Sequence, residues 1–359
     1  APVTNLLILW LLPAVFIGCY LAALLGLVWA WGGMALAWVT AWPLRYILAV
    51  AKLLSKLPGA VLFTGNRVVV WWLVLVYAMF GAAWLISRRR KVRYWIPAAC
   101  SVLALCAVLT VNAVQLQRTS TVTALDVSQG QSIVFSSGRA CAVVDCGGRS
   151  TAEDPGDLAA RKLLAQGHRS LDLLVLTHPH DDHVNGVLRL MHWLPVRALV
   201  IPAAADTTQA PLSDILVLAE ENHTAVVRVD AERTVTAGGI SVHLYPEPCA
   251  GQEDGSMIVL ASIGDYDTLV PGDVDMTAEV KFLSSCTYPG IELLLVGHHG
   301  SNRSTSDAWL DAIAPDAAII SVGYNTYGHP ASETLERLQA RNIPIYRTDQ
   351  MGDITVHLS

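Results

Sequence analysis

The sequence predicts two structures in series: a helical membrane-spanning region over residues 1–117, then an α/β sandwich of two sheets between helices over residues 118–359. Charge is the first reason. Residues 1–117 contain no Asp, Glu or His, and their nine charges are all basic: Arg45, Lys52, Lys56, Arg67, Arg88, Arg89, Arg90, Lys91 and Arg93. The other 15 of the 24 Lys+Arg stand with all 30 Asp+Glu after residue 117, a formal −15 there. So abrupt a change marks two solvents rather than two soluble domains. Apolar run length is the second reason. Residues 5–31, 68–87 and 95–115 are almost wholly apolar. Each approaches or exceeds the roughly 20 residues a helix needs to cross hydrocarbon. The third reason is periodicity: beyond residue 117 short strands first follow one another as a meander, then alternate with helices.

Within the first region, residues 33–56 are Trp-rich and carry Arg45, Lys52 and Lys56, so they either span or lie in the interface. Ala1 is not a start methionine and no charged segment precedes the first apolar run, which argues against a secretory signal. The chain is expected to be the C-terminal piece of a larger membrane protein. The basic run 88–93 predicts a cytoplasmic loop, because short Lys/Arg-rich loops stay inside. Residues 95–115 then lead outward and place 118–359 on the extracytoplasmic side. Cys141, Cys146, Cys249 and Cys286 are even in number in an oxidising compartment, which permits disulfides; free buried thiols are the alternative.

The elements of the second region follow from pattern. Residues 121–127 alternate as a strand, and 132–135 and 141–144 are β-rich around a Ser136-Ser137-Gly138-Arg139 turn. Asp145 ends that run. Helices are expected at 158–166, 184–194, 214–221, 306–313 and 333–339. Strands are expected at 171–176, 198–201, 225–229, 240–245, 257–262, 268–270, 291–296, 317–322, 343–346 and 354–357.

One stretch carries chemistry. Leu174-Val175-Leu176-Thr177-His178-Pro179-His180-Asp181-Asp182-His183 is an apolar strand running into H-x-H-x-D-H. A buried strand is rigid, so the loop at its end can hold ligands to close tolerance. His178 and His180 are expected to share one cation, while Asp182 and His183 turn to a second a few ångströms away. Imidazole and carboxylate donors suit Zn²⁺, Mn²⁺ or Fe²⁺. This motif resembles the metal signature of the metallo-β-lactamase superfamily, which implies an αββα sandwich and two further ligand stretches. Thr268-Leu269-Val270-Pro271-Gly272-Asp273 resembles the turn whose carboxylate bridges the metals. In Leu294-Leu295-Val296-Gly297-His298-His299-Gly300-Ser301 the resemblance makes His299 the last ligand and turns His298 to the substrate, although either could bind metal.

A narrower resemblance covers nearly the whole chain. Membrane helices followed by this domain is the order of bacterial DNA-uptake competence channels of the ComEC type. Leu125-Asp126-Val127-Ser128-Gln129-Gly130-Gln131 is similar to their D-V-G-Q-G-D, and Val144-Asp145-Cys146-Gly147-Gly148 to their I-D-G-G. Tyr327-Gly328-His329-Pro330, Arg347-Thr348-Asp349-Gln350-Met351-Gly352, Asn5-Leu6-Leu7 and Leu57-Pro58-Gly59-Ala60 also match. The resemblance implies a multi-pass protein of the cell membrane, with channel helices preceding Ala1. It implies a nuclease using two divalent ions, Zn or Mn, to hydrolyse the strand that is not imported. Its partners would be single-stranded or incoming double-stranded DNA, membrane lipid, the missing channel helices, a DNA receptor and a cytoplasmic translocase. Asp182, His298 and His329 are the expected catalytic residues.

The sequence departs from that pattern at Ser128 and Gln131, where Gly and Asp are usual; the lost carboxylate weakens a supporting role for position 131. His192, His223 and His243 are third-motif candidates by position only, and each reads as structural or solvated. Residues 304–306 precede a helix and could aim free N–H groups at a phosphate. Hydrolysis of another ester, or a decayed module that only guides DNA, are the alternatives to a nuclease.

Overall fold

The structure is a computed structural model describing residues 2–55, 68–88, 93–116, 118–149, 153–246 and 256–358. Residues 57–60, Arg89, Arg90, Lys91 and Cys249 therefore lie outside the described residues. The chain divides into two compact units, Ala1–Phe63 and Thr64–Ser359.

The first unit contains α1 (Pro2–Ile8), α2 (Leu12–Val28) and α3 (Ala30–Ser55). The apolar run 5–31 is thus not one span. A turn at residues 9–11 divides it, and Pro13 sits in the first turn of α2. Proline has no N–H and its ring clashes with the carbonyl four residues back, which favours a helix start at Pro13, whereas α3 runs on through Pro43. Residues 33–56, left open above, fall largely in the continuous 26-residue α3. α2 and α3 pack through small residues. A Cβ on Gly33 would lie 2.5 Å from the Gly26 Cα, and one on Gly18 would lie 2.7 Å from Thr40 Oγ1. Only hydrogen at those positions lets the backbones approach so closely.

The second unit begins with α4 (Val68–Ser87) and α5 (Trp95–Leu116), joined where Trp72 Nε1 donates to the Ser101 carbonyl at 2.8 Å. Among the described residues, Ala30–Leu54 and Val70–Ser87 are long and apolar enough to cross a membrane, by length and composition.

The rest of this unit is a four-layer sandwich. One sheet has the order β14-β1-β2-β3-β4-β5-β6, from β1 (Ser120–Ala124), β2 (Ile133–Ser137), β3 (Ala140–Val144), β4 (Leu171–Val175), β5 (Val196–Pro202), β6 (Ala225–Val229) and β14 (Ile354–Leu358). The other has the order β13-β12-β11-β10-β9-β8-β7, from β7 (Arg233–Ala237), β8 (Ile240–Pro246), β9 (Met257–Ile263), β10 (Tyr266–Val270), β11 (Leu293–Leu295), β12 (Ala317–Ile320) and β13 (Ile345–Arg347). Each sheet is antiparallel over its first strands and parallel from β3 to β6 or from β10 to β13. The parallel strands point their C-terminal ends the same way, and loops that leave those ends can meet.

Side-chain alternation builds the layers. On β3, Ala142 and Val144 face the inner core with Phe135, Val259 and Leu295, while Cys141 and Val143 face outward to helices. Those helices are α6 (Pro155–Ala165), α8 (Val187–Trp193) and α9 (Leu212–Glu221); the other sheet carries α10 (Met276–Ser285), α11 (Asp307–Ile313) and α12 (Ser332–Ala340). Full burial of each Leu, Ile or Phe contributes about 1.5–3 kcal/mol before chain entropy is counted. Caps set the helix starts: Asp154 accepts from Gly156 N, Asp275 from Thr277 N and Ala278 N, and Ser306 from Trp309 N. α10 and the edge strand β7 were not foreseen. β7 reads polar because its outer face is exposed, and α10 is signalled mainly by the Asp275 cap. The helix expected at 184–194 is α8, which starts at Val187; Val184 ends a separate short helix, α7 (Asp181–Val184), with Asn185 and Gly186 between them. The described cysteines are unpaired thiols.

Candidate metal centre

Every candidate ligand hangs from the end of a parallel strand. The H-x-H-x-D-H loop follows β4, Asp273 follows β10, and His298 and His299 follow β11. Gly272 turns at φ +63°, a conformation glycine adopts without strain, and presses on Thr177, which a Cβ would meet at 3.1 Å. His298 and His299 also take left-handed φ of 51° and 54°, at a cost of roughly 1 kcal/mol or more each. The turn is held there because His298 N donates to the Gly272 carbonyl at 3.0 Å. The two ligand turns are therefore fastened to one another.

The result is a tight cluster. His178, His183 and Asp273 each offer a ligand atom within 4.8 Å of the others, and so do Asp182, His183 and His299. Asp273 lies between the groups: Oδ2 is 3.7 Å from His178 Nε2, and Oδ1 is 3.3 Å from His183 Nε2 and 4.0 Å from His299 Nε2. Asp182 Oδ2 lies 3.5 Å from His299 Nε2. His180 is placed differently. It caps α7, is exposed, and stands beside His178 with ring centroids 4.6 Å apart, outside both groups.

Behind the cluster every Nδ1 has a protein partner. His183 Nδ1 meets Asp145 Oδ2 at 2.7 Å, and His299 Nδ1 donates to the Ser321 carbonyl at 2.9 Å. Thr177 Oγ1 donates to Asp145 Oδ2 at 2.7 Å, which leaves its lone pairs for His178 Nδ1 at 3.1 Å. With Nδ1 carrying the proton, each Nε2 presents a lone pair to the centre, the tautomer a metal ligand needs. The Nε2 atoms of His178, His183 and His299, and Oδ1 of Asp273, are buried without a hydrogen-bond partner. Orphaned buried acceptors of this kind are costly, and cations held in the two groups would satisfy them. The donor set fits Zn²⁺ or Mn²⁺.

The electrostatics agree. Burial opposes charge on His183, but the carboxylates of Asp273 and Asp145 outweigh it and hold its pKa well above the ordinary histidine value. Burial likewise opposes charge on Asp273 and Asp182, yet neighbouring His183 and His299 hold both well below the usual carboxylate range. Burial pushes His178 down, and the neighbouring His183 acts in the same direction. The cluster is a hole shaped for positive charge.

Asp145, which ends a strand and stands in the I-D-G-G-like stretch, organises the centre. It is fully buried at φ +58° and accepts from Thr177 N at 2.7 Å and Gln131 Nε2 at 2.8 Å. Gln131 therefore supports the site as an amide donor, where the sequence suggested only a lost carboxylate. The motif around Asp145 was the available signal; partners 14 to 38 residues away were not visible.

The cluster opens to a cavity of about 500 Å³ lined also by Gln129, Arg149, His298, Tyr327 and His329. His298 Nε2 is 3.6 Å from Asp273 Oδ2, and its ring lies 5.7 Å from that of His329. His192 is bonded to its own helix, His223 is exposed, and His243 is bonded to Thr234 and Glu232; none joins the cluster. The expected phosphate cap at 304–306 is corrected: Thr305 N and Ser306 N both donate to the buried carboxylate of Glu279.

Residues 125–324 match the family described as Metallo-beta-lactamase superfamily. The chain belongs to the metallo-β-lactamase superfamily. Its sandwich is the superfamily's hydrolase-type fold. The chain is 29% identical over 251 residues to ComE operon protein 3 of Bacillus subtilis, covering 64% of this chain and 32% of that protein. It is 28% identical over 237 residues to Competence protein ComA of Neisseria gonorrhoeae, covering 64% and 31%. It is 26% identical over 244 residues to Recombination protein 2 of Haemophilus influenzae, covering 65% and 28%. The chain spans about a third of the length of these curated relatives.

Proposed function

We propose that the sandwich is a metal-dependent phosphodiesterase of a DNA-uptake apparatus, cutting the DNA strand that is not imported. The carrying observation is the convergence of three orphaned Nε2 atoms and Asp273 Oδ1 beside an open cavity. His178, Asp273 and, after a ring rotation, His180 would hold one divalent ion; Asp182, His183, His299 and Asp273 would hold the other. When bound, such a pair activates a water and neutralises phosphate charge. Asp182 lines the cavity together with Asp273 and His299. His298 and His329, flanking the cavity, each offer an imidazole N–H to a phosphate oxygen or to the leaving group. Phosphoryl transfer needs positioning and charge neutralisation above all, and both are what rigid strand ends supply.

The competence-protein relatives support the DNA-uptake reading. Residues 1–117 would anchor the domain in a cell membrane as part of a multi-pass protein, against lipid and the helices of a longer channel. A DNA receptor and a cytoplasmic translocase would be its partners. With the basic run at 88–93 inside, residues 118–359 face outward; protease added to intact cells should then cut them, and full protection would overturn that orientation.

The decisive experiment uses the whole chain in detergent micelles, loaded with Mn²⁺ or Zn²⁺ and given single-stranded DNA. Cleavage is expected, with Asp182→Ala losing cleavage and part of the metal. A metal-loaded wild type that leaves DNA intact would sink the nuclease reading.

A further inference from the structure

Beside the cation cradle the cavity has a second chemistry. Arg149 is the one Lys or Arg among its described lining residues. Arg149 Nη1 donates to the Tyr327 hydroxyl at 3.0 Å, with the guanidinium carbon 5.9 Å from the ring centroid. The Tyr327 ring lies 5.9 Å from that of His329, tilted by 36°. Tyr327 nonetheless stays 59% exposed at the mouth of the cavity.

The loop that carries these rings is fixed in place. The Asn325 side chain donates to the carbonyls of Gly323 and His329 at 2.9 and 2.8 Å and accepts from Tyr327 N and His329 N at 3.1 and 3.0 Å. Gly323 is pressed against Ser128, which a Cβ would meet at 2.4 Å. At the other end Ala331 N donates to the Gly300 carbonyl at 2.9 Å, tying the loop to the turn of His298 and His299. An aromatic face held open by four hydrogen bonds costs little ordering when something binds it.

We propose that Tyr327 and Arg149 form a nucleotide subsite for a single strand. A base next to the scissile phosphate stacks on the Tyr327 ring, and the adjoining phosphate takes the guanidinium donors that Tyr327 leaves free. This rests on the phosphodiesterase reading and adds the form of its substrate. Charge is why stacking matters here. Residues 118–359 carry a formal −15, so a polyanion gains nothing from the surface at long range. Base–aromatic stacking is indifferent to that charge and tolerant of sequence. A duplex keeps its base faces paired and stacked within itself, and cannot use the ring.

The test is binding, read by fluorescence anisotropy with the Zn²⁺-loaded whole chain in detergent micelles. The probes are a twelve-residue oligothymidylate with a phosphorothioate backbone, its abasic counterpart, and a duplex of the same length. The intact strand should bind about tenfold more tightly than either comparison, the lower part of what one base–ring stack contributes. Tyr327→Leu should erase that preference, Tyr327→Phe should keep it, and Arg149→Ala should weaken intact and abasic strands alike. Equal binding of the three probes, no binding at all, or a preference that survives Tyr327→Leu would overturn the subsite. The preference is read without cleavage. A chain that cuts DNA with no base preference loses only this inference, whereas loss of cleavage alone strikes only the nuclease reading.

Discussion

The floor and the wall of the cavity use the same residue type in opposite ways. His178, His183 and His299 on the floor are buried, each with Nδ1 committed to Thr177, Asp145 or Ser321 and Nε2 left without a partner. On the wall the His298 side chain is 39% exposed. His329 stands beside it with its ring half-covered. A buried imidazole with one fixed nitrogen has a single task, to offer the other to something that stays. An exposed imidazole at a cavity mouth can serve something that comes and goes. Floor substitutions should therefore remove metal and activity together, and wall substitutions should separate them.

The largest effect is expected at the floor. Asp273 is the carboxylate that lies between the two ligand groups, within 4.0 Å of His178, His183 and His299, and Asp273→Asn should reduce DNA cleavage about a thousandfold or more, since metals supply several kcal/mol of charge stabilisation. Metal content measured on the purified variant should fall with it. Full metal content in an inactive Asp273→Asn would break the floor-and-wall distinction. At the wall, His298→Ala should lower cleavage about a hundredfold, the scale of a single positioned proton-transfer or hydrogen-bonding group. Its metal content should match wild type; a loss of metal would move His298 to the floor.

The contrast also marks what a sequence can carry. The floor was legible because strand ends followed by His and Asp at short spacing leave a local pattern, as in 174–183 and 294–299. His180 is harder to place by the same logic. The two-residue repeat that aligns side chains holds within a strand, but β4 ends at Val175 and His180 already caps α7. The wall was half legible. His329 stood in a recognisable turn, but Arg149 and Tyr327 are 178 residues apart and neither spacing nor periodicity joins them. In the membrane-like half, apolar composition gave the helices but not the break at residues 9–11, just ahead of Pro13. The sandwich itself was readable because alternation and strand–helix succession are repeated many times, so one missed edge strand does not change the architecture.

Behind the floor the effects should be smaller and graded by how many donors remain. Asp145→Asn keeps the shape but cannot accept from His183, Thr177 and Gln131 at once. Metal affinity should fall about 10- to 100-fold, as is usual for the partner that orients a ligand. Titration of the apo chain with Zn²⁺ against a competing chelator reads this directly. An unchanged affinity would mean that His183 is oriented by packing alone.

Gln131→Met should be the mildest. It removes one of the donors to Asp145 while Thr177 N, Thr177 Oγ1 and His183 Nδ1 remain, so the carboxylate stays satisfied. The expected loss is about 1 kcal/mol of stability, the ordinary net worth of one buried hydrogen bond. Thermal unfolding of the metal-free chain should show it as a fall of a few degrees, with metal affinity changed less than in Asp145→Asn. Two outcomes would redraw the hierarchy. An effect as large as that of Asp145→Asn would show that the amide at position 131 sets the charge balance of the cradle. No effect would show that the fourth donor to Asp145 is redundant.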